Sequence, residues 1–163
     1  MEKYKRIIFV CMENTSRSIM AEAVMKSIRG KRPIEVLSRG LVVLFPEPVN
    51  PKTIAILKAH ELSPERDSAR ELQRSDLVPG TLILTMTAKE ASRVAEKLMA
   101  EEAPEGSEPL PELKIMDIAT FIGSRGGIED VCGGSLADYG RCYEYIDMAV
   151  KMAAEIIFKE IEV

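Results

Sequence analysis

The stretch C-M-E-N-T-S-R-S, residues 11–18, constrains this chain more than any other. It follows the apolar run Ile7, Ile8, Phe9 and Val10, and it precedes Ile19, Met20, Ala23, Val24 and Ile28 at helical spacing. A strand, a short loop and a helix start therefore meet at Cys11. A loop wrapped onto a helix N-terminus turns backbone N–H groups toward one spot, and the helix dipole favours negative charge there. Arg17 stands where its planar fork can grip two oxygens of an anion. Thiols beside cations at helix N-termini ionise at roughly pH 3.5–7.5 and become nucleophiles. Ser18 is placed to donate a hydrogen bond to the sulfur. Cys11 and Arg17 are therefore expected to be catalytic. Met12, Glu13, Asn14, Thr15, Ser16, Arg17 and Ser18 are expected to bind phosphate. The plainer alternative is a buried cysteine ending a core strand, with Arg17 solvated; Arg17 and Ser18 in register before the helix speak against it.

The chain has 163 residues, enough for one domain with a real core, and residues 1–163 read as that domain. The net charge of −4 and the lack of a basic run argue against nucleic acid as a partner. No apolar stretch approaches the ~20 residues of a membrane span, and the charged N-terminus is not followed by a signal-peptide apolar region. Three cysteines without a C-x-x-C pair, and a single histidine, offer neither a disulfide framework nor a zinc site. The expectation is a reduced, cytoplasmic protein without metal or other cofactor. The oligomeric state is left open.

Residues 5–10 read as a central strand and 18–29 as a helix, with Gly30 just past its end. Residues 34–37 read as a second strand, followed by a Ser38-Arg39-Gly40 turn. The apolar residues 42–45 either line the site entrance or pack on the sheet. A helix is expected from Pro51 to His60, where His60 has a structural or solvated role. Residues 67–72 read as a short turn or helix. Residues 81–86 form the strongest strand, and Thr87 with Glu90 reads as a capping box for a helix reaching about Met99. The acidic, proline-rich residues 101–112 read as a solvated loop. A fourth strand over 113–118, a glycine-rich stretch over 123–134 and a last helix from Ser135 complete the chain. Strands alternating with helices imply an α/β fold: a single three-layer domain with an open four-stranded parallel sheet and helices on both faces. Ligands in such sheets bind beyond the strand C-termini, where Cys11 falls.

Displacement at phosphorus by a thiolate needs a proton for the leaving group, and general acid help is typically worth about 10²–10⁴-fold. Asp130, with Glu129 second, is the acid expected from the glycine-rich stretch. The competing reading is that Asp130 caps the turn into the last helix.

These residues resemble the low-molecular-weight protein tyrosine phosphatases, bacterial arginine phosphatases included. That family carries C-x-G-N-x-C-R-S-P-M-A-E-A after its first strand; here residues 11–23 read C-M-E-N-T-S-R-S-I-M-A-E-A. Ser38-Arg39-Gly40 resembles the family's Ser-Ala-Gly, residues 83–87 its third-strand end, and Asp130 its acid loop. The resemblance implies a phosphocysteine intermediate, Asp130 as acid, no metal, and a phosphorylated protein and inorganic phosphate as partners. It also implies that Asn14 and Ser38 hold the loop by hydrogen bonds. Glu13 replaces a loop glycine, which would be strained if that position needed positive φ, and Arg39 is expected to neutralise its charge. Ser16 replaces the cysteine of the usual intraloop disulfide; Cys132 is either a substitute partner or a bystander. Asp67 stands where many members have a histidine. Thr15, and an acid loop without aromatics, lean toward phosphoarginine over phosphotyrosine. Arsenate reduction is disfavoured because no relay cysteines follow the third strand. The alternative of another class is a catalytically weakened oxyanion-binding or partner-binding module, favoured by Glu13 and the altered acid loop.

Overall fold

The computed structural model describes residues 3–101 and 103–161, with no side-chain description for Ile161. Four strands form one parallel sheet: β1 (Arg6–Cys11), β2 (Glu35–Gly40), β3 (Thr81–Thr85) and β4 (Lys114–Asp117), in the order β2-β1-β3-β4. The helices are α1 (Arg17–Arg29), α2 (Pro51–Ala59), α3 (Ala88–Ala100), the single turn α4 (Ile118–Phe121) and α5 (Leu136–Ile161). β1 and β3 are central and buried on both faces, which is why both read as unbroken apolar runs rather than alternating ones. On one face Ile7, Phe9, Cys11, Leu82 and Leu84 pack with α1 and α5; on the other Ile8, Val10 and Ile83 pack with Val94 and Leu98 of α3. The sheet is thus covered by helices on both sides.

Three local expectations change. Ser38, Arg39 and Gly40 are strand rather than turn, paired in register with Phe9, Val10 and Cys11. Their polar side chains do not end the strand because each finds a partner: Ser38 donates to the buried Glu22, and Arg39 pairs with the half-buried Asp76. Residues 67–72 are neither turn nor helix. They run extended along the sheet edge, bridging Gly40 to Glu71 and Pro48 to Ser68. The fourth strand stops at Asp117, whose carboxylate accepts from the Thr120 N–H and opens α4. The acidic segment is coil and turn where described; its Glu102 lies outside the described residues, as do Met1 and Glu2 of the N-terminal reading. Among the described residues no helix is long and apolar enough to cross a membrane.

Candidate active site

Cys11 ends β1 and is buried at the floor of the loop, its Sγ 3.0 Å from Ser18 Oγ. Asn14 Nδ2 donates to that hydroxyl at 2.7 Å, so the Ser18 proton is left to point at the sulfur. Asn14 occupies the left-handed region with φ 57°. It is Asn14, not Glu13, that turns the loop, so the glutamate that replaces a glycine carries no backbone strain there. Asparagine tolerates this conformation better than most residues. The Asn14 Oδ1 accepts from the Arg70 N–H at 2.9 Å and from Arg66 Nη2 at 3.1 Å.

Among the described residues, the N–H groups of Glu13, Asn14, Thr15 and Ser16 have no protein partner. The N-cap of α1, Ser16, makes no side-chain capping bond either. Helix starts ordinarily satisfy such donors with a cap. Here they are left unspent at the lip of the loop, a concave set of donors suited to an anion.

Arg17 is buried at the wall of this cup. Its Nη1 and Nη2 donate to the two carboxylate oxygens of Glu90 at 3.1 and 3.0 Å, and Nη1 also donates to the Ile128 carbonyl at 2.9 Å. That uses three of five donors and leaves Nε–H and one Nη2–H, the side-on fork, for two oxygens of a ligand. Burial works against the Arg17 charge, but Cys11, Glu90 and Asp130 outweigh it and hold the guanidinium above its ordinary pKa. Thr87 Oγ1 still caps the Glu90 N–H, whereas the Glu90 carboxylate turns to Arg17 and the Thr87 hydroxyl instead of closing the expected capping box. Sequence reasoning missed this second role of Glu90 because the Thr-x-x-Glu spacing already explained it.

Asp130 is exposed on the loop whose root is fixed by Arg17 at Ile128 O and by the Ile128 N–H donating to Met86 O. Its Oδ1 accepts from the Cys132 N–H at 3.0 Å. It does not cap the last helix: Ser135 and Asp138 bond reciprocally there and take that function. Glu129 is exposed beside it, and Val131 and Cys132 follow with no aromatic ring. Cys132 is exposed and unpaired; with Cys142 it lines a cavity of about 600 Å³ behind the loop. Burial pushes the Cys142 thiol up to about 11.

Arg39 does not face Glu13. Its Nε and Nη2 pair with the Asp76 carboxylate at 3.1 Å each, on the opposite side of β2 from Ser38. The cation that does serve the loop is Arg66, which reaches Asn14, Ser38 and Ser68. It lies in a polar stretch whose sequence carries no periodic or motif signal. Across the loop, Val42, Leu44 and Phe45 are exposed and line a cavity of about 330 Å³ with Met12, Glu13 and Glu47, while half-buried Val43 lies against Gly40 at the end of β2.

The family model for low molecular weight phosphotyrosine protein phosphatase matches residues 6–162. The chain belongs to that family. The low molecular weight protein-tyrosine-phosphatase PtpB of Staphylococcus haemolyticus is 31% identical over 141 residues, 86% of this chain and 91% of its own length. Among solved structures, a low molecular weight protein tyrosine phosphatase from T. tengcongensis is 27% identical with a TM-score of 0.76, covering 93% of this chain and 98% of that one. The YwlE arginine phosphatase from Geobacillus stearothermophilus shares the fold at 23% identity and a TM-score of 0.78, covering 95% of this chain and 94% of that one. This low molecular weight phosphatase is therefore a cysteine-dependent protein phosphatase. No comparison favours a catalytically weakened binding module.

Proposed function

We propose that this enzyme hydrolyses phosphoarginine in proteins in preference to phosphotyrosine, with Cys11 as nucleophile, Arg17 as oxyanion clamp and Asp130 as acid and base. The Cys11 thiolate attacks phosphorus, the bond to the leaving nitrogen breaks, and Asp130 delivers the proton that nitrogen needs. Water then attacks the phosphocysteine, Asp130 takes its proton, and phosphate leaves with the thiolate restored. The unspent N–H groups of residues 13–16 and the side-on fork of Arg17 support the developing charge at the transferring oxygens. Ser18 donates to the sulfur and makes it a better leaving group in the second step.

The observation that carries the substrate choice is the acid-loop wall, where Val131 and Cys132 offer a phosphotyrosine ring nothing to stack on. Exposed Glu13 at the lip adds a carboxylate suited to a guanidinium rather than a neutral phenol. Phosphotyrosine is the second reading, favoured by Phe45, 61% exposed on the opposite wall. Three unpaired cysteines fit a reducing cytoplasm as the place of action. Matched peptides carrying each phosphoresidue decide the matter. The expected result is kcat/KM at least about tenfold higher for phosphoarginine, a difference of ~1.4 kcal/mol in transition-state binding. Equal or reversed values refute the preference.

A further inference from the structure

Arg66 ties the loop residue Asn14 to Ser38 of β2 and to the segment that follows it. Its Nη1 donates to Ser68 O at 2.6 Å; its Nη2 donates to Ser38 O at 2.8 Å and to Asn14 Oδ1 and Ser38 Oγ at 3.1 Å each. Beyond Asn14 the bonds run in one direction: Asn14 Nδ2 donates to Ser18 Oγ, and the Ser18 hydroxyl is left to donate to Cys11 Sγ. A cation at the head of such a chain polarises each donor toward the next, so the last one is a stronger donor to an anionic sulfur. Arg66 also faces Glu22, a buried carboxylate that accepts from Ser38 and pairs with Lys26. Burial lowers the Arg66 pKa, and Arg39 and Arg70 oppose its charge, while Glu22 and Asp76 support it. A cation kept against those costs has a function beyond filling space.

We infer that Arg66 is a positioning residue for the phosphatase: its fixed charge, relayed through Asn14 and Ser18, holds the loop closed and stabilises the Cys11 thiolate. The inference rests on the proposed nucleophilic role of Cys11.

The test is the rate at which iodoacetamide alkylates Cys11 at pH 6, located by mass spectrometry, in wild type, R66Q and R66K, with vanadate affinity measured beside it. R66Q is expected to slow alkylation and weaken vanadate binding about tenfold each, the lower end of what a charge-assisted hydrogen bond provides. R66K, which keeps the charge without the fork, is expected to restore most of the alkylation rate. In an S18A background, where the relay is cut, R66Q should change that rate less than twofold. Wild-type rates in R66Q, R66K as slow as R66Q, or an undiminished R66Q effect in S18A each overturn the inference. Should R66Q not fold, R66K against wild type and the R66K/S18A pair read the same coupling. Wild-type Cys11 reacting no faster than a free thiol at pH 6 would instead sink the proposed catalytic role itself.

Discussion

Replacing Glu90 by glutamine isolates one charge in the core of the site. The Thr87 hydroxyl caps the Glu90 backbone N–H, so the substitution leaves the start of α3 satisfied. What it removes is the carboxylate that holds both terminal nitrogens of Arg17, in a pair whose side chains are each 5% exposed. Breaking one side of a buried ion pair costs about 3–5 kcal/mol, because the remaining charge is stranded. Glutamine retains one acceptor, which puts the expected loss near the lower bound, about 3 kcal/mol. For a chain of this size each kcal/mol moves Tm by roughly 2–4 °C, so E90Q should melt about 6–12 °C below wild type. Urea unfolding gives the free energy directly. The Ile128 carbonyl loses a well-held donor at the same time, so amide exchange at the root of the acid loop should accelerate. A misplaced Arg17 should also lower kcat/KM by roughly 10²-fold. A stability loss under about 1 kcal/mol, the level of an exposed pair, would refute the reasoning.

Three further outcomes follow from the same geometry. D130N should cut kcat by about 10²–10⁴-fold while leaving vanadate affinity within a few-fold, measured by steady-state kinetics and competition. A Cβ at Gly40 would sit 2.9 Å from Val43 Cγ2, 3.0 Å from the Glu13 carbonyl carbon and 3.1 Å from Asn14 Cβ; G40A should therefore displace the loop and destabilise by about 1–3 kcal/mol in urea titration. Burial raises Cys142 from 9.0 to about 11, so the native state favours its neutral thiol; that stability is intact below pH 9 and is lost as pH rises toward 11. C142S should flatten this part of the stability profile, read as the urea midpoint at pH 8, 9.5 and 11 relative to wild type.

Local signals sufficed for β1, the loop and α1, because an apolar run, turn residues and a helical period sit within a single short stretch. The same signals failed at Ser38-Arg39-Gly40. Two polar residues and a glycine have turn chemistry, yet the strand continues because Glu22 lies 16 residues away from Ser38 and Asp76 lies 37 from Arg39. Residues 67–72 misled for a similar reason: their extended path is set by bridges to Gly40 and Pro48, not by their own propensities. The position of Asp130 on an exposed loop after the last strand was within reach of pattern reasoning, since a glycine-rich stretch follows that strand; the bonds from Arg17 and to Met86 that fix the root of the loop at Ile128 were not.

The partners of the charged groups were not legible in the sequence. Arg17 meets Glu90 across 73 residues and Arg66 meets Asn14 across 52, separations that no periodicity encodes. Because Glu90 neutralises the end-on fork of Arg17, a dianion entering the cup does not meet a bare cation. It meets the side-on fork, four unspent amides and the helix dipole, with Glu13 opposing it at the lip. Attraction then depends on oriented donors more than on net charge, and such donors act only while the loop keeps its shape. If the cup binds oxyanions as proposed, disturbing the scaffold of Asn14, Ser18, Ser38 and Arg66 should weaken that binding as much as removing a donor that touches the ligand. Added salt screens exposed charges far more than buried amides, so oxyanion affinity should weaken only slightly as ionic strength rises.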